Sequence, residues 1–181
     1  KMSDTKENYY NVFIDDLPVK VVSVMGNTDL RIAQNMDAGD HTLKIIKRTE
    51  GEQGKATFKG IVLDNGATLK KIDPGYKRKI ELIANSITCL YATDRRSKEE
   101  KFMPETENCY KSHAAITARA FDAEYHIVAH SGMGVVRNYG DEKMVSDYTM
   151  PDRYKQILDT EVATMWDFSK WKPDAVVINL G

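Results

Sequence analysis

The strongest constraint on the fold is a change in sequence pattern at the turn-forming stretch 72–76. Before it, several short runs rich in valine, isoleucine, threonine and aromatic residues predict β-strands. These runs span residues 9–14, 19–24, 30–34, 41–48 and 57–63. Turn-forming residues separate them at intervals of about ten residues, which is typical of an antiparallel sandwich or barrel. We therefore predict an antiparallel β-domain over residues 1–75.

After this turn, predicted strands alternate with predicted helices. Strands are expected at 79–83, 124–129 and 174–180, and helices at 106–122 and from Pro151 to just before 171–173. The first helix carries apolar and small residues at helical spacing, which predicts one packed face. That face comprises Cys109, His113, Ile116 and Ala120. This order of elements favours a parallel sheet covered by helices over residues 76–181.

Charge and hydropathy exclude two classes of partner. The 26 Lys and Arg residues balance 27 Asp and Glu residues, leaving a net charge of −1. Such a chain has no polybasic face for phosphates, so no nucleic-acid partner is expected. No apolar run approaches the roughly 20 residues that a membrane helix needs, so no membrane partner is expected either.

The cysteines leave two alternatives open and suggest no metal. Cys89 and Cys109 lack the ligand spacing of a zinc site, and no cofactor is predicted. They fit either one disulfide or two buried thiols.

Chemistry is expected beyond the carboxyl ends of the parallel strands, where such sheets bind ligands. The first strand is followed by Asn85 and Ser86. A serine on a strand-to-helix turn can present its hydroxyl beside backbone N–H groups, which a nucleophile with an oxyanion hole requires. The alternative is an ordinary helix N-cap.

The second strand leads into a glycine-containing loop. Gly132 and Gly134 can bring a backbone amide close to a substrate oxygen, and Asn138 and Tyr139 follow them. The loop lacks full G-x-G-x-x-G spacing, so it is a poor dinucleotide site. His130 lies at the strand end, without a sequence partner that would define its role.

The order of these motifs resembles that of the SGNH (GDSL-like) hydrolases. Segment 78–89 resembles their first block, 131–139 the second, and 176–181 the start of the third. The β-rich leader, with 10–15 and 39–43, is similar to the jelly-roll domain that precedes the hydrolase in carbohydrate esterase family two. Against that family, the chain looks truncated at both ends.

The resemblance implies a two-domain fold and a reaction. The fold would be a jelly-roll-like β-sandwich followed by a partial three-layer SGNH α/β domain. The reaction would remove acetyl groups from plant-type polysaccharides or oligosaccharides, with Ser86 as the nucleophile. The N–H groups of Ser86 and Gly132 would hold the oxyanion, with Gly134 as the alternative donor. Substrate contacts would come from Asn85, Asn138 and Tyr139.

The resemblance also implies components outside the chain. The general-base histidine and the asparagine of the third block would follow Gly181, so the 181 residues alone are expected to be inactive. Secretion, or a periplasmic or cell-surface location, would follow from a polymeric substrate, while the oligomeric state stays open.

Two alternatives remain at this stage: an SGNH esterase or lipase acting on another acyl ester, and a non-catalytic carbohydrate-binding protein. Two departures from the family pattern favour the second alternative. They are Ala84 and Leu90, which stand where glycine is common.

Overall fold

A computed structural model describes residues 1–159 and 161–180. Its elements divide between an antiparallel sheet and a parallel sheet. The antiparallel strands are β1 (Met2–Ile14), β2 (Leu17–Thr28), β3 (Leu43–Lys47) and β4 (Ala56–Phe58). The parallel part contains β5 (Arg78–Ala84), α1 (Ser86–Cys89), α2 (His113–Ala120), β6 (Ala123–Ala129), α3 (Met150–Arg153) and β7 (Ala175–Asn179).

The long strand β1 is the centre of the antiparallel sheet. It pairs with β2 along one edge, while the other edge pairs with β3 near Ile14 and with β4 near Met2. Asp15 and Asp16 join β1 to β2 with φ of 51° and 65°. Two successive positive φ angles match the hairpin turn that suits the twist of paired strands.

Two of the predicted strands in this half need correction. Residues 30–34 form no strand, and the strand predicted at 57–63 is limited to Ala56–Phe58. Most of these side chains are exposed, so there is no buried face to favour extended pairing. Within residues 1–159 and 161–180 the antiparallel strands form one sheet, so the sandwich stays a prediction.

The parallel sheet has the order β6-β5-β7, which confirms the three strands predicted for this half. Helix α2 packs on it through Ala114 and Ala118, which contact Ile80 and Leu82. Small alanine side chains allow the helix backbone to lie close to the sheet.

Both predicted helices are wrong in extent, and the first is wrong in its buried face. Ser112 caps α2 by accepting a hydrogen bond from the Ala115 N–H at 3.1 Å, so the helix begins at His113 rather than near 106. The face predicted to be packed is exposed at His113 and Ile116. Helix α3 ends at Arg153, and beyond it Gln156 and Met165 form an antiparallel bridge.

The two sheets are tied together by the buried side chain of Arg48. Its guanidinium donates to Asn11 Oδ1 at 3.0 Å in β1 and to Asp94 Oδ2 at 2.7 Å after β5. It also donates to the carbonyl oxygens of Glu105 at 2.9 Å and Glu107 at 3.1 Å. These contacts cross the predicted boundary at residues 75 and 76, which itself stays a prediction.

No helix in the part of the chain that the structure describes is long and apolar enough to cross a membrane.

Candidate active site

Ser86 lies at the topological switch point of the parallel sheet. Strand β5 is central, and the chain passes to β6 on one side and then to β7 on the other. Ligands of doubly wound sheets bind beyond the carboxyl ends of the strands at such a point. Ser86 follows β5 after a single residue, so the topology brings it to this crevice.

The turn that presents Ser86 is stabilised by its neighbour. Asn85 Oδ1 accepts a hydrogen bond from the Ile87 N–H at 3.2 Å and caps α1. Ala84 is the last residue of β5 and is not among the positive-φ residues, so its methyl group fits the extended backbone. Leu90 ends α1 with φ of 56°, a left-handed conformation in which glycine is relaxed and leucine is strained.

A cavity of about 540 Å³ opens in front of this turn. It brings together all the residues that the sequence predicts for the site, although they come from two separate segments. They are Asn85, Ser86, Gly132, Gly134, Asn138 and Tyr139. Proximity of these residues does not by itself assign their roles.

The backbone donors of this cavity are not equally available. Among the described residues, the N–H groups of Ser86 and Gly132 have no hydrogen-bond acceptor in the protein. The Gly134 N–H instead donates to Asn138 Oδ1 at 3.1 Å. The geometry therefore favours Gly132 over Gly134 as the partner of Ser86 in an oxyanion hole.

Asn138 and Tyr139 differ in what they can offer a ligand. The amide of Asn138 is used within its own loop, since its nitrogen also donates to the Tyr148 carbonyl at 2.7 Å. Asn138 therefore orders the glycine loop. Tyr139 is 94% exposed at the cavity, so its ring is free to contact a ligand.

His130 has a partner that the sequence pattern did not reveal. Its Nε2 lies 3.3 Å from Asp159 Oδ2, and its Nδ1 lies 2.8 Å from the Ser131 carbonyl oxygen. The hydrogen bond to Asp159 raises the pKa of His130 to about 9, so the ring is cationic near neutral pH. With both nitrogens engaged, this ring cannot take a proton from Ser86. In residues 1–159 and 161–180, no histidine is hydrogen-bonded to Ser86.

Sequence reasoning also missed Glu50, whose carboxylate reaches the glycine loop. Glu50 Oε2 accepts from the Ser131 N–H and Glu50 Oε1 from the Ser131 hydroxyl, both at 2.6 Å. Glu50 lies 81 residues from Ser131 in the chain, and no local pattern marks such a contact.

The cysteines are free thiols rather than a disulfide. Burial raises the pKa of both, that of Cys109 to about 11. Cys89, Glu50 and Glu107 offer possible ligand atoms within 4.8 Å of one another. They fit a cation poorly, because the Cys89 thiol donates to Glu50 and burial raises the pKa of Glu107 to about 8.

Fold and cavity together define a class: an α/β protein with a serine at the switch point of a parallel sheet, preceded by an antiparallel sheet. Residues 1–72 match the family model described as carbohydrate esterase 2 N-terminal. The predicted resemblance to carbohydrate esterase family two is thus confirmed, and named relatives extend it along the chain.

Two curated relatives cover almost the whole chain. The cellulase/esterase CelE of Acetivibrio thermocellus is 39% identical over 97% of this chain and 21% of its own length. An acetylxylan esterase / glucomannan deacetylase of Cellvibrio japonicus is 31% identical over 98% of this chain and 49% of its own length. The chain thus spans half or less of the length of these two relatives, both of which are named as esterases.

Solved structures show the same resemblance. A family two carbohydrate esterase from Clostridium thermocellum, solved with cellohexaose, has a TM-score of 0.91 at 38% identity, over 99% of this chain and 54% of its own. A family two carbohydrate esterase from Cellvibrio japonicus has a TM-score of 0.81 at 25% identity, over 99% and 53%. These neighbours and relatives are carboxylic ester hydrolases.

Proposed function

We propose that the natural protein containing this chain is a serine esterase that removes acetyl groups from polysaccharides or oligosaccharides. One observation carries the proposal: the Ser86 hydroxyl shares a cavity with two backbone N–H groups, of Ser86 and Gly132, that have no acceptor among the described residues. Acyl transfer needs this combination of a nucleophile and donors for the developing oxyanion.

In this mechanism the Ser86 oxygen attacks the acetyl carbonyl carbon and forms a tetrahedral intermediate. The N–H groups of Ser86 and Gly132 donate to its oxyanion. The intermediate collapses to an acetyl-serine as the sugar hydroxyl leaves with a proton, and water then releases acetate. Both ring nitrogens of His130 are engaged, and no other histidine among the described residues is hydrogen-bonded to Ser86. We therefore propose that the general base lies outside residues 1–181, as the family resemblance implies.

The proposed substrate is an acetylated plant-type polysaccharide. Names of the relatives support this choice, since they include acetylxylan esterase and glucomannan deacetylase. The exposed ring of Tyr139 is suited to stack on a sugar at the rim of the cavity. A polymer of this kind is degraded outside the cell, so we also propose a secreted, periplasmic or surface location.

The finer fold assignment belongs to the same proposal. We propose a jelly-roll-like sandwich for residues 1–75 and an SGNH α/β domain for residues 76–181. The parallel sheet order and the match of residues 1–72 support it.

The test measures acetate release from acetylated xylan and acetylated glucomannan by the full natural protein and its Ser86→Ala variant. We expect Ser86→Ala to abolish release, with circular dichroism unchanged. Ser97→Ala is the matched control, because Ser97 is an exposed loop serine outside the cavity. Wild-type turnover in Ser86→Ala would contradict the nucleophile assignment.

The same proteins separate the two alternatives. Faster hydrolysis of long-chain acyl esters than of acetyl esters would favour a lipase-like esterase. Cellohexaose binding without acetate release would favour a carbohydrate-binding protein. This measurement is worthwhile because one structural neighbour is described as displaying divergent catalytic and non-catalytic binding functions.

A further inference from the structure

The carboxylate of Glu50 reaches from the antiparallel half of the chain to Ser131, the residue before the glycines that line the candidate active site. Glu50 follows β3 by three residues and is only 6% exposed. Its two oxygens accept from the N–H and the hydroxyl of Ser131, both at 2.6 Å. A carboxyl group that accepts two short hydrogen bonds away from water is a strong anchor.

The anchored residue immediately precedes one proposed oxyanion donor. Glu50 holds Ser131 through its N–H and its hydroxyl, and the Ser131 carbonyl, which belongs to the same peptide as the Gly132 N–H, lies 2.8 Å from His130 Nδ1. Together these contacts limit rotation of the peptide that carries the Gly132 N–H. Gly132 has φ of 76°, so it depends on its neighbours for a defined orientation. The carbonyl of Gly132 is held separately by the Tyr139 N–H at 2.8 Å.

The same carboxylate also contacts the helix that carries the proposed nucleophile. The Cys89 thiol, at the end of α1, donates to Glu50 Oε2 at 3.6 Å. Helix α1 begins at Ser86, which is the second proposed oxyanion donor. One side chain therefore links the two segments whose N–H groups must converge on a single oxygen atom.

Glu50 itself is fixed in place. Its N–H donates to Glu107 Oε1 at 3.0 Å, and its carbonyl accepts from Lys47 Nζ at 2.9 Å. The neighbouring Arg48 donates to the Glu107 carbonyl at 3.1 Å. The backbone of this segment is thus locked before its side chain reaches the glycine loop.

We propose that Glu50 is a positioning residue that aligns the Gly132 N–H with Ser86, so that the antiparallel half of the chain completes the ester-hydrolysing site. This inference rests on the proposed function. The role of Glu50 is more than a contact between the two halves of the chain, because Glu50 is hydrogen-bonded to the residue that precedes the proposed oxyanion donor Gly132.

The test compares Glu50→Ala and Glu50→Gln in the full natural protein, with Glu52→Ala as the matched control. Glutamine keeps an oxygen for the Ser131 N–H, and its amide can donate to a reoriented Ser131 hydroxyl. Alanine removes both contacts. Glu52 belongs to the same helical turn and has no hydrogen bond to Ser131, although its Oε2 lies 3.7 Å from His130 Nε2. It therefore controls for the loss of a carboxylate beside this loop.

We expect Glu50→Ala to lower kcat by about 100-fold, the loss typical of one missing oxyanion donor, with KM changed by less than about twofold. Glu50→Gln should stay within about fivefold of wild type, and Glu52→Ala within about twofold. Rates are normalised to titrated active sites, so a variant that is merely less stable keeps its kcat. Equal kcat in Glu50→Ala and wild type, or equal losses in Glu50→Ala and Glu52→Ala, would overturn the proposal.

Two further measurements keep the inference separate from folding and from the proposed function. If Glu50→Ala does not fold, Ser131→Ala removes one of the two contacts and should lower kcat by about tenfold; an unchanged kcat would overturn the proposal. Hydrogen exchange of the Ser131 amide should be faster in Glu50→Ala than in Glu52→Ala, and equal rates would overturn the proposal. This readout does not need esterase activity, whereas failure of the wild type to release acetate would refute the proposed function alone.

Discussion

Replacement of Arg48 by alanine should destabilise the protein strongly. The change removes hydrogen bonds to Asn11, Glu105 and Glu107, together with the ion pair to Asp94. Asp94 keeps Lys111 at 2.8 Å and is partly exposed, so its charge is not stranded. The cost therefore falls on the buried acceptors, at about 1–3 kcal/mol each.

Water can partly replace Arg48 at these acceptors. The summed loss in the free energy of unfolding is therefore expected to be about 3–5 kcal/mol. That is a large share of the roughly 5–15 kcal/mol typical of a folded domain. The assay is urea unfolding of the full natural protein, followed by tryptophan fluorescence. Lys70→Ala is the control, because its ion pair with Asp40 is exposed and should contribute little. A loss below about 1 kcal/mol in Arg48→Ala would refute the view that this side chain joins the two sheets.

Two further changes test local features. Leu90→Gly should raise the free energy of unfolding by about 1 kcal/mol, because glycine is relaxed at the left-handed end of α1; a decrease in the urea midpoint would mean that leucine packing outweighs the strain. Burial and the charge of Glu50 raise the pKa of Glu107 from 4.5 to about 8, so its stabilising contribution is full below pH 4.5 and is lost as pH rises through 8. The side chain introduced by Glu107→Gln cannot titrate. The urea midpoint of the variant should therefore rise relative to that of wild type when the pH is raised from 4.5 to 8. A difference between the two midpoints that stays constant with pH would contradict the raised pKa.

The parallel half of the fold was predictable where local pattern and topology agree. Compact apolar runs predict β5, β6 and β7, and strand ends of a parallel sheet share one edge. That rule is enough to expect Ser86 and Gly132 in one crevice, as the structure has them.

Helical spacing failed where tertiary contacts decide the outcome. The residues that bury α2 are alanines, whose small side chains weigh little in an apolar pattern. Beyond Arg153 an apolar spacing suggests a helix, but Arg153 pairs with Asp159 and the chain turns back to form a bridge.

The contacts that organise the site could not be predicted, because their partners are far apart in the chain. Glu50 meets Ser131 across 81 residues, and Arg48 meets Asp94 across 46. Asp159, which contacts His130, lies in a segment that the sequence predicts to be helical. In the sequence, nothing distinguishes these charged residues from the many others in the chain.

Covalent labelling with a fluorophosphonate probe tests the central claim most directly, since such probes react with an activated serine. The full natural protein is labelled and digested, and the modified residue is located by tandem mass spectrometry. The account predicts one adduct, on Ser86, that is absent from Ser86→Ala. Labelling on another serine, or equal labelling of Ser86→Ala, would contradict it.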